Sequence, residues 1–317
     1  MTDDEINHKY AYHIALGSVF LADVLARYEK DKERSRKKHN VVNRKIEAVR
    51  TSFPKLNEGI KMDMPWQMLK EGLESKYVRS LMIDLAFSNP FAPSELKYKQ
   101  KDFIAALHNL GNYLSWGESG VDRILKYKNS AMKAHRHIPW GKIATYGFVG
   151  AMIIGAGGWV IAPALGAYIG TAAGLSGAAA ASHGLAILGG GSLAIGGYGM
   201  AGGMWIVTGA GVVTGLGTAG GAKLLLELGS ARTQIEIIKL QVTYKEIITD
   251  EKKETGQSLD IREALEQRKM ELDRNITEEL EFNEKGSTRI KEMEAIKTAL
   301  GSSIKWIKEQ KEKMPQG

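Results

Sequence analysis

The chain has 317 residues, a formal net charge of +7 and no cysteine, with 44% apolar and 25% charged residues. That length can supply two or three domains with cores of their own, and the missing thiol excludes disulfides, thiolate catalysis and cysteine-held zinc or iron–sulfur centres. The averages hide the main feature: residues 1–142 carry net +8, residues 223–317 carry −1, and the 80 residues 143–222 hold 24 of the 36 glycines and no Asp, Glu, Lys or Arg.

The start, "MTDDEINHKY", is acidic and polar and reads as lacking a cleavable secretory signal, and neither end carries a lipidation motif. Residues 1–142 read as helical. Ile14, Val19, Phe20, Val24 and Leu25 recur at helical spacing, ahead of a charged run from Arg27 to Lys45. Further helices are expected over 66–87, 101–114 and 120–134, punctuated by Pro65, Pro90, Pro93 and Gly117. Residues 223–317 return to charged helical sequence, with apolar positions Ile235, Ile238, Val242 and Ile248 on one helix. Ile261, Leu265, Leu272, Ile276 and Leu280 mark a second helix, and Met293, Ile296, Leu300, Ile304 and Ile307 a third. Turns at 254–258 and 284–287 would separate them into a helical hairpin or short coiled coil.

The uncharged middle opens after "AHRHIPWGK", where Pro139 and Trp140 make a turn and an interfacial aromatic anchor. A bilayer-spanning helix needs roughly 20 apolar residues, and a soluble helix needs a wet face. Gly158, Ala162, Gly166, Gly170 and Gly174 fall four apart, and Gly199/Gly203 and Gly211/Gly215 repeat the spacing. On helices these form small-residue stripes that let backbones approach closely in lipid. In water each glycine would cost about 1 kcal/mol of helix propensity relative to alanine. The charge gap and the stripes together place the segment in the membrane.

The same glycines twice satisfy a dinucleotide fingerprint, at Gly197-x-Gly199-x-x-Gly202 and Gly215-x-Gly217-x-x-Gly220. That chemistry needs a strand–turn–helix junction and an acidic residue about 20 positions on. The upstream stretch "HGLAILGGGSLAI" is too rich in glycine for a buried strand, and the next acidic residue is Glu227, with no alternating strand–helix pattern around it. The glycines are read as structural. His135-Arg136-His137 lacks a third ligand at diagnostic spacing and reads as interfacial surface, so no metal site is assigned. No H-E-x-x-H or G-x-S-x-G pattern is present, so neither catalytic residues nor a cofactor is assigned and the chain is not read as an enzyme. His183 is the only side chain of the middle segment that changes charge near neutral pH; it lines a pore or lies in a loop at the far membrane face, the loop being favoured.

One candidate binding surface remains. The run Lys30, Lys32, Arg34, Arg36, Lys37, Lys38, Arg44 and Lys45 is either a solvated helix face, partly neutralised by Glu29, Asp31 and Glu33, or a phosphate-binding surface for nucleic acid or anionic lipid. Lys97, Tyr98, Lys99 and Lys101, and again Lys126, Tyr127 and Lys128, interleave tyrosines with lysines. That pairing offers stacking faces beside charges and suits single-stranded nucleic acid.

Basic residues flank the uncharged segment on both sides: Arg123, Lys126, Lys128, Lys133, Arg136 and Lys142 before it, Lys223, Arg232 and Lys239 after it. Positive-inside reasoning puts both termini in the cytoplasm and requires an even number of passes. Two are favoured, over 143–173 and 193–216. Two helices cannot enclose a pore, so conduction would require a homo-oligomer. The expected fold is therefore an all-α membrane protein: a basic helical ligand-binding domain over 1–142, a Gly/Ala-rich transmembrane hairpin over 143–222 and a cytoplasmic amphipathic or coiled-coil region over 223–317.

The stretch "GAYIGTAAGLSGAAAASHGLAILGGGSLAIGGYGMAGGMWIVTGAGVVTG" (166–215) resembles the Gly/Ala-rich module of bacterial membrane effectors of anti-phage defence, the Hailong A type in particular. That resemblance implies an inner-membrane ion channel, kept closed by a single-stranded DNA oligomer made by a partner nucleotidyltransferase and opened when the DNA is lost, to arrest or kill the cell. It carries over no ligand residue. Two other classes stay open: a colicin-like pore-forming toxin whose hydrophobic hairpin inserts on arrival, and a non-conducting membrane scaffold.

Overall fold

A computed structural model describes residues 3–52, 66–70, 75–91, 94, 96–135, 153–155, 158–160, 230–250, 252 and 256–313. It is mostly helical, and the chain divides into two compact units, the first of whose boundaries falls between Asp122 and Arg123.

In the first unit α1 (Asp3–Arg27) is the central helix, packed by α2 (Lys32–Ser52), α3 (Gln67–Lys70), α4 (Ser75–Ala86) and α5 (Gln100–Tyr113). Its centrality is written in its side chains, since Ile14, Leu16, Val19, Leu21, Ala22, Leu25 and Ala26 are all buried. Burying one such large aliphatic side chain stabilises the fold by roughly 1.5–3 kcal/mol. Gly17 marks where α4 comes closest: a Cβ there would lie 2.5 Å from Leu85 Cδ1.

The charged run is broken at Tyr28–Asp31, where α1 ends and α2 begins. Asp31 supplies the stop, its Oδ1 accepting a hydrogen bond from the Arg34 backbone N–H at 2.8 Å as an N-cap should. At the other end of the unit α5 finishes in a Schellman motif. Trp116 N–H donates to Gly111 O at 2.8 Å and Ser115 N–H to Asn112 O at 3.1 Å. Ser115 takes the left-handed conformation (φ 58°) that such a cap demands. The helix α6 (Glu118–Ala134) follows.

The second unit contains α6 from Arg123 onward together with α7 (Ser230–Asp250), α8 (Gly256–Leu280) and α9 (Thr288–Glu312). All three predicted helices of the third region are present, with Ile235, Ile238, Val242, Ile248, Ile261, Leu265, Leu272, Ile276, Met293, Ile296, Leu300, Ile304 and Ile307 buried as their spacing requires. Leu280 departs from the pattern, at 42% exposed, because α8 ends there. α8 and α9 form the expected hairpin, with ion pairs outside: Lys297 to Asp273 at 2.6 Å, Arg289 to Glu279 at 3.1 Å and Lys308 to Glu266 at 3.2 Å.

Within 143–222, only 153–155 and 158–160 are described, as two short strands, Ile153–Gly155 and Gly158–Val160, paired with each other. These six residues differ from the helix expected over 143–173. The rest of the expected transmembrane hairpin lies outside the described residues. Among the described residues no helix is long and apolar enough to cross a membrane.

Candidate anion-binding surface

The basic run of α2 does not act as one face. Lys30, Lys32, Arg36 and Arg44 are exposed. Arg34 reaches Glu29 at 3.4 Å and Lys37 reaches Glu33 at 2.7 Å. Lys38 is 3% exposed, its ammonium 2.8 Å from Glu29 Oε2 and 5.3 Å from the centre of the Phe91 ring. This cation is committed to the interior, tying the start of α2 back to the loop that precedes it. The Lys38 hydrogen bond, then the backbone N–H of Asp31, holds the Glu29 carboxyl down at about 2. Lys45 is half-buried against α1, its Nζ donating to Ser18 Oγ at 3.3 Å, and burial pushes its ammonium down to about 8. Half of the predicted phosphate-binding run is thereby spent inside the unit or on neighbouring carboxylates, because an amphipathic helix that docks through one face must turn some of its cations inward.

The lysine–tyrosine stretches separate in the same way. Lys97, Lys99 and Lys101 are exposed. Tyr98 between them turns inward, with ring centroids 6.1 Å from Phe91 and 5.4 Å from Phe103, and burial pushes its hydroxyl up to about 12. It is half-buried and packed on two core phenylalanines, which limits it as a stacking face. On α6, Lys126 is exposed, and half-buried Tyr127 donates its hydroxyl to Thr249 Oγ1 at 3.1 Å. Burial lowers the Lys128 ammonium to about 8.

His135 corrects another expectation. It is buried, not interfacial, with Nε2 2.9 Å from Gln241 Oε1 and 3.4 Å from Ser303 Oγ. The reason is that the end of α6 packs into the second unit, alongside α7 and α9. His137 lies outside the described residues, as do Gly166, Gly170, Gly174, His183, Gly199, Gly203, Gly211 and Gly215. Gly158 is described only as backbone of the second strand.

Sequence reasoning missed the cations that α7 and α9 add. Arg123 of α6 grips Glu246 of α7 through two nitrogens, at 2.7 and 3.1 Å, and Glu246 is 1% exposed. This pairing and the Tyr127–Thr249 bond lay Lys126 beside Lys245, and Lys313 follows the last residue of α9. A region with net charge −1 gives no sequence signal for a basic cluster. The groove between α8 and α9, about 710 Å³, is lined by Glu266, Glu309 and Glu312 as well as Lys269, Lys305 and Lys308, and so offers an anion no single-sign field. No protein-family model, curated protein or solved structure matches the chain.

Proposed function

We propose that the chain is a non-enzymatic, homo-oligomeric channel of the bacterial inner membrane, held closed by an anionic ligand on its charged helices and opened to arrest the cell when the ligand is lost. The observation that carries this reading is the run of 80 uncharged, glycine-rich residues between two charged helical regions. Nothing else in the composition explains so long a stretch without a wet face.

The contacts between α6 and α7 support the topology. Arg123–Glu246, Tyr127–Thr249 and His135–Gln241 join residues 106 to 123 positions apart in sequence. The chain that leaves α6 therefore returns to the same packed helices. A membrane segment between those two points crosses an even number of times, in accord with the basic flanks on both sides. A ligand that binds the closed arrangement more tightly than the open one stabilises closure by that difference in affinity. With no charged ring in the segment, small apolar residues would form the barrier by dewetting. The Hailong A-type resemblance adds single-stranded DNA as the ligand and a nucleotidyltransferase as its source.

The test is reconstitution into liposomes. Purified protein is expected to conduct ions, and Gly166→Leu with Gly170→Leu to abolish conduction by blocking close helix approach. Unchanged conductance in the double variant, or none in the parent, overturns the reading. A water-soluble monomer on fractionation would favour the inserting toxin instead.

A further inference from the structure

Many cations of the second unit already have an anion: Lys269 and Lys297 share Asp273, Lys308 has Glu266, and Arg123 has Glu246. Lys126, Lys245 and Lys313 have no carboxylate partner among the described residues. Their placement brings them together from three elements. On α6, Arg123, Lys126 and Tyr127 share one face by their i, i+3, i+4 spacing, and two of them bond α7 directly. On α7, Lys245 and Thr249 share a face by the same rule, and Thr249 is what Tyr127 holds. Lys313 follows α9, which packs along α7.

Lys245 is half-buried, while Lys126 and Lys313 are exposed. Burial first, and then the Lys313 and Lys126 charges, lowers the proton affinity of the Lys245 ammonium. The nearby polar groups are occupied or turned elsewhere: Glu246 is held by Arg123 and Thr249 by Tyr127, while Glu309 and Glu312 line the groove toward α8. The partial negative end of α9 beside Lys313 offsets only a fraction of one charge. Three like charges thus converge with their repulsion uncompensated by the protein itself, which is the arrangement that concentrates an anion.

We infer that Lys126, Lys245 and Lys313 form a binding site for the terminal phosphate of a nucleotide or oligonucleotide. Lysine ammoniums are compact point charges suited to phosphate oxygens. Three of them match a doubly charged phosphomonoester better than a singly charged phosphodiester. The half-buried position of Lys245 requires a group that projects inward, which a flat lipid surface does not provide. This deepens the proposed function by naming where its ligand is held. It rests on that reading for the effect at the membrane and not for binding.

The experiment titrates the purified full-length protein with a 5′-phosphorylated single-stranded oligonucleotide, its dephosphorylated form, and anionic lipid vesicles. The expected result is at least tenfold tighter binding of the phosphorylated oligonucleotide, displaced by inorganic pyrophosphate. Lys245→Gln, and separately the exposed Lys126→Gln and Lys313→Gln, should each weaken it at least fivefold without lowering the melting temperature. Lys285→Gln, an exposed lysine of the turn between α8 and α9, should change it less than twofold. Equal affinity for both oligonucleotides, equal losses in Lys285→Gln and Lys245→Gln, or retention by vesicles alone would each overturn the site. Phosphate-dependent binding without any conductance in liposomes would leave the site standing and remove the channel.

Discussion

Lys45 gives the sharpest test of the packing in the first unit. Its ammonium is half-buried between α2 and α1 with Ser18 Oγ at 3.3 Å, and its folded-state pKa is about 8 against an ordinary 10.5. Below pH 8 both folded and unfolded chains hold the proton, and the folded state bears the full cost of dehydrating the charge. Between about 8 and 10.5 the unfolded chain binds more protons than the folded one, so stability rises with pH across that window. At about 1.4 kcal/mol per pH unit the difference sets an upper bound of ~3 kcal/mol. Residual solvation and the Ser18 hydrogen bond reduce it to ~1–2 kcal/mol. Lys45→Met keeps the aliphatic stem and removes the charge, so at pH 7 it should stabilise the unit by that amount, a rise in melting temperature of roughly 2–8 °C. Thermal melts of parent and variant by circular dichroism at pH 7, 8, 9 and 10 isolate this group, because other titrations cancel in the difference. The gap should close as pH approaches 10.5. A variant that melts below the parent at pH 7, or a gap that stays constant from pH 7 to 10, would refute the dehydrated-lysine argument.

Three further outcomes follow from the geometry. Arg123→Ala leaves the carboxylate of Glu246 buried at 1% exposure without its guanidinium, and should cost ~2–4 kcal/mol; adding Glu246→Leu should recover most of that in denaturant melts. Gly111→Ala would place a Cβ 2.6 Å from Val121 Cγ2, a branched side chain with little freedom to swing aside, for a net loss of ~1–2 kcal/mol that Val121→Ala should relieve. Ser287 accepts a hydrogen bond from Ile290 N–H at 3.3 Å at the start of α9, so Ser287→Ala should cost ~1 kcal/mol while Ser287→Asp stays near neutral.

Periodicity made α7, α8 and α9 legible, since a three- or four-residue apolar spacing has one solution when one face must be dry. Even their turns fell near Gly256 and Gly286. The break between α1 and α2 was less visible: Asp31 caps α2 within a run that otherwise reads as continuous charged helix. Of the stretch expected to be helical over 66–87, the described parts are helical, as α3 and α4.

What the sequence determined by itself was the division of the chain: where charge is present, where 80 residues lack it, and which helices have an apolar side. Those are properties of local spacing and composition, which need no neighbour to be read. Only the tertiary structure decided the fate of individual cations. Lys38 and Lys45 turn inward, Tyr98 packs on Phe91 and Phe103, and Lys245 comes under the charges of Lys126 and Lys313, which lie far from it in sequence. The reason is physical: a charge's role depends on what lies within a few ångströms of it, and those neighbours are set by helix packing between distant segments.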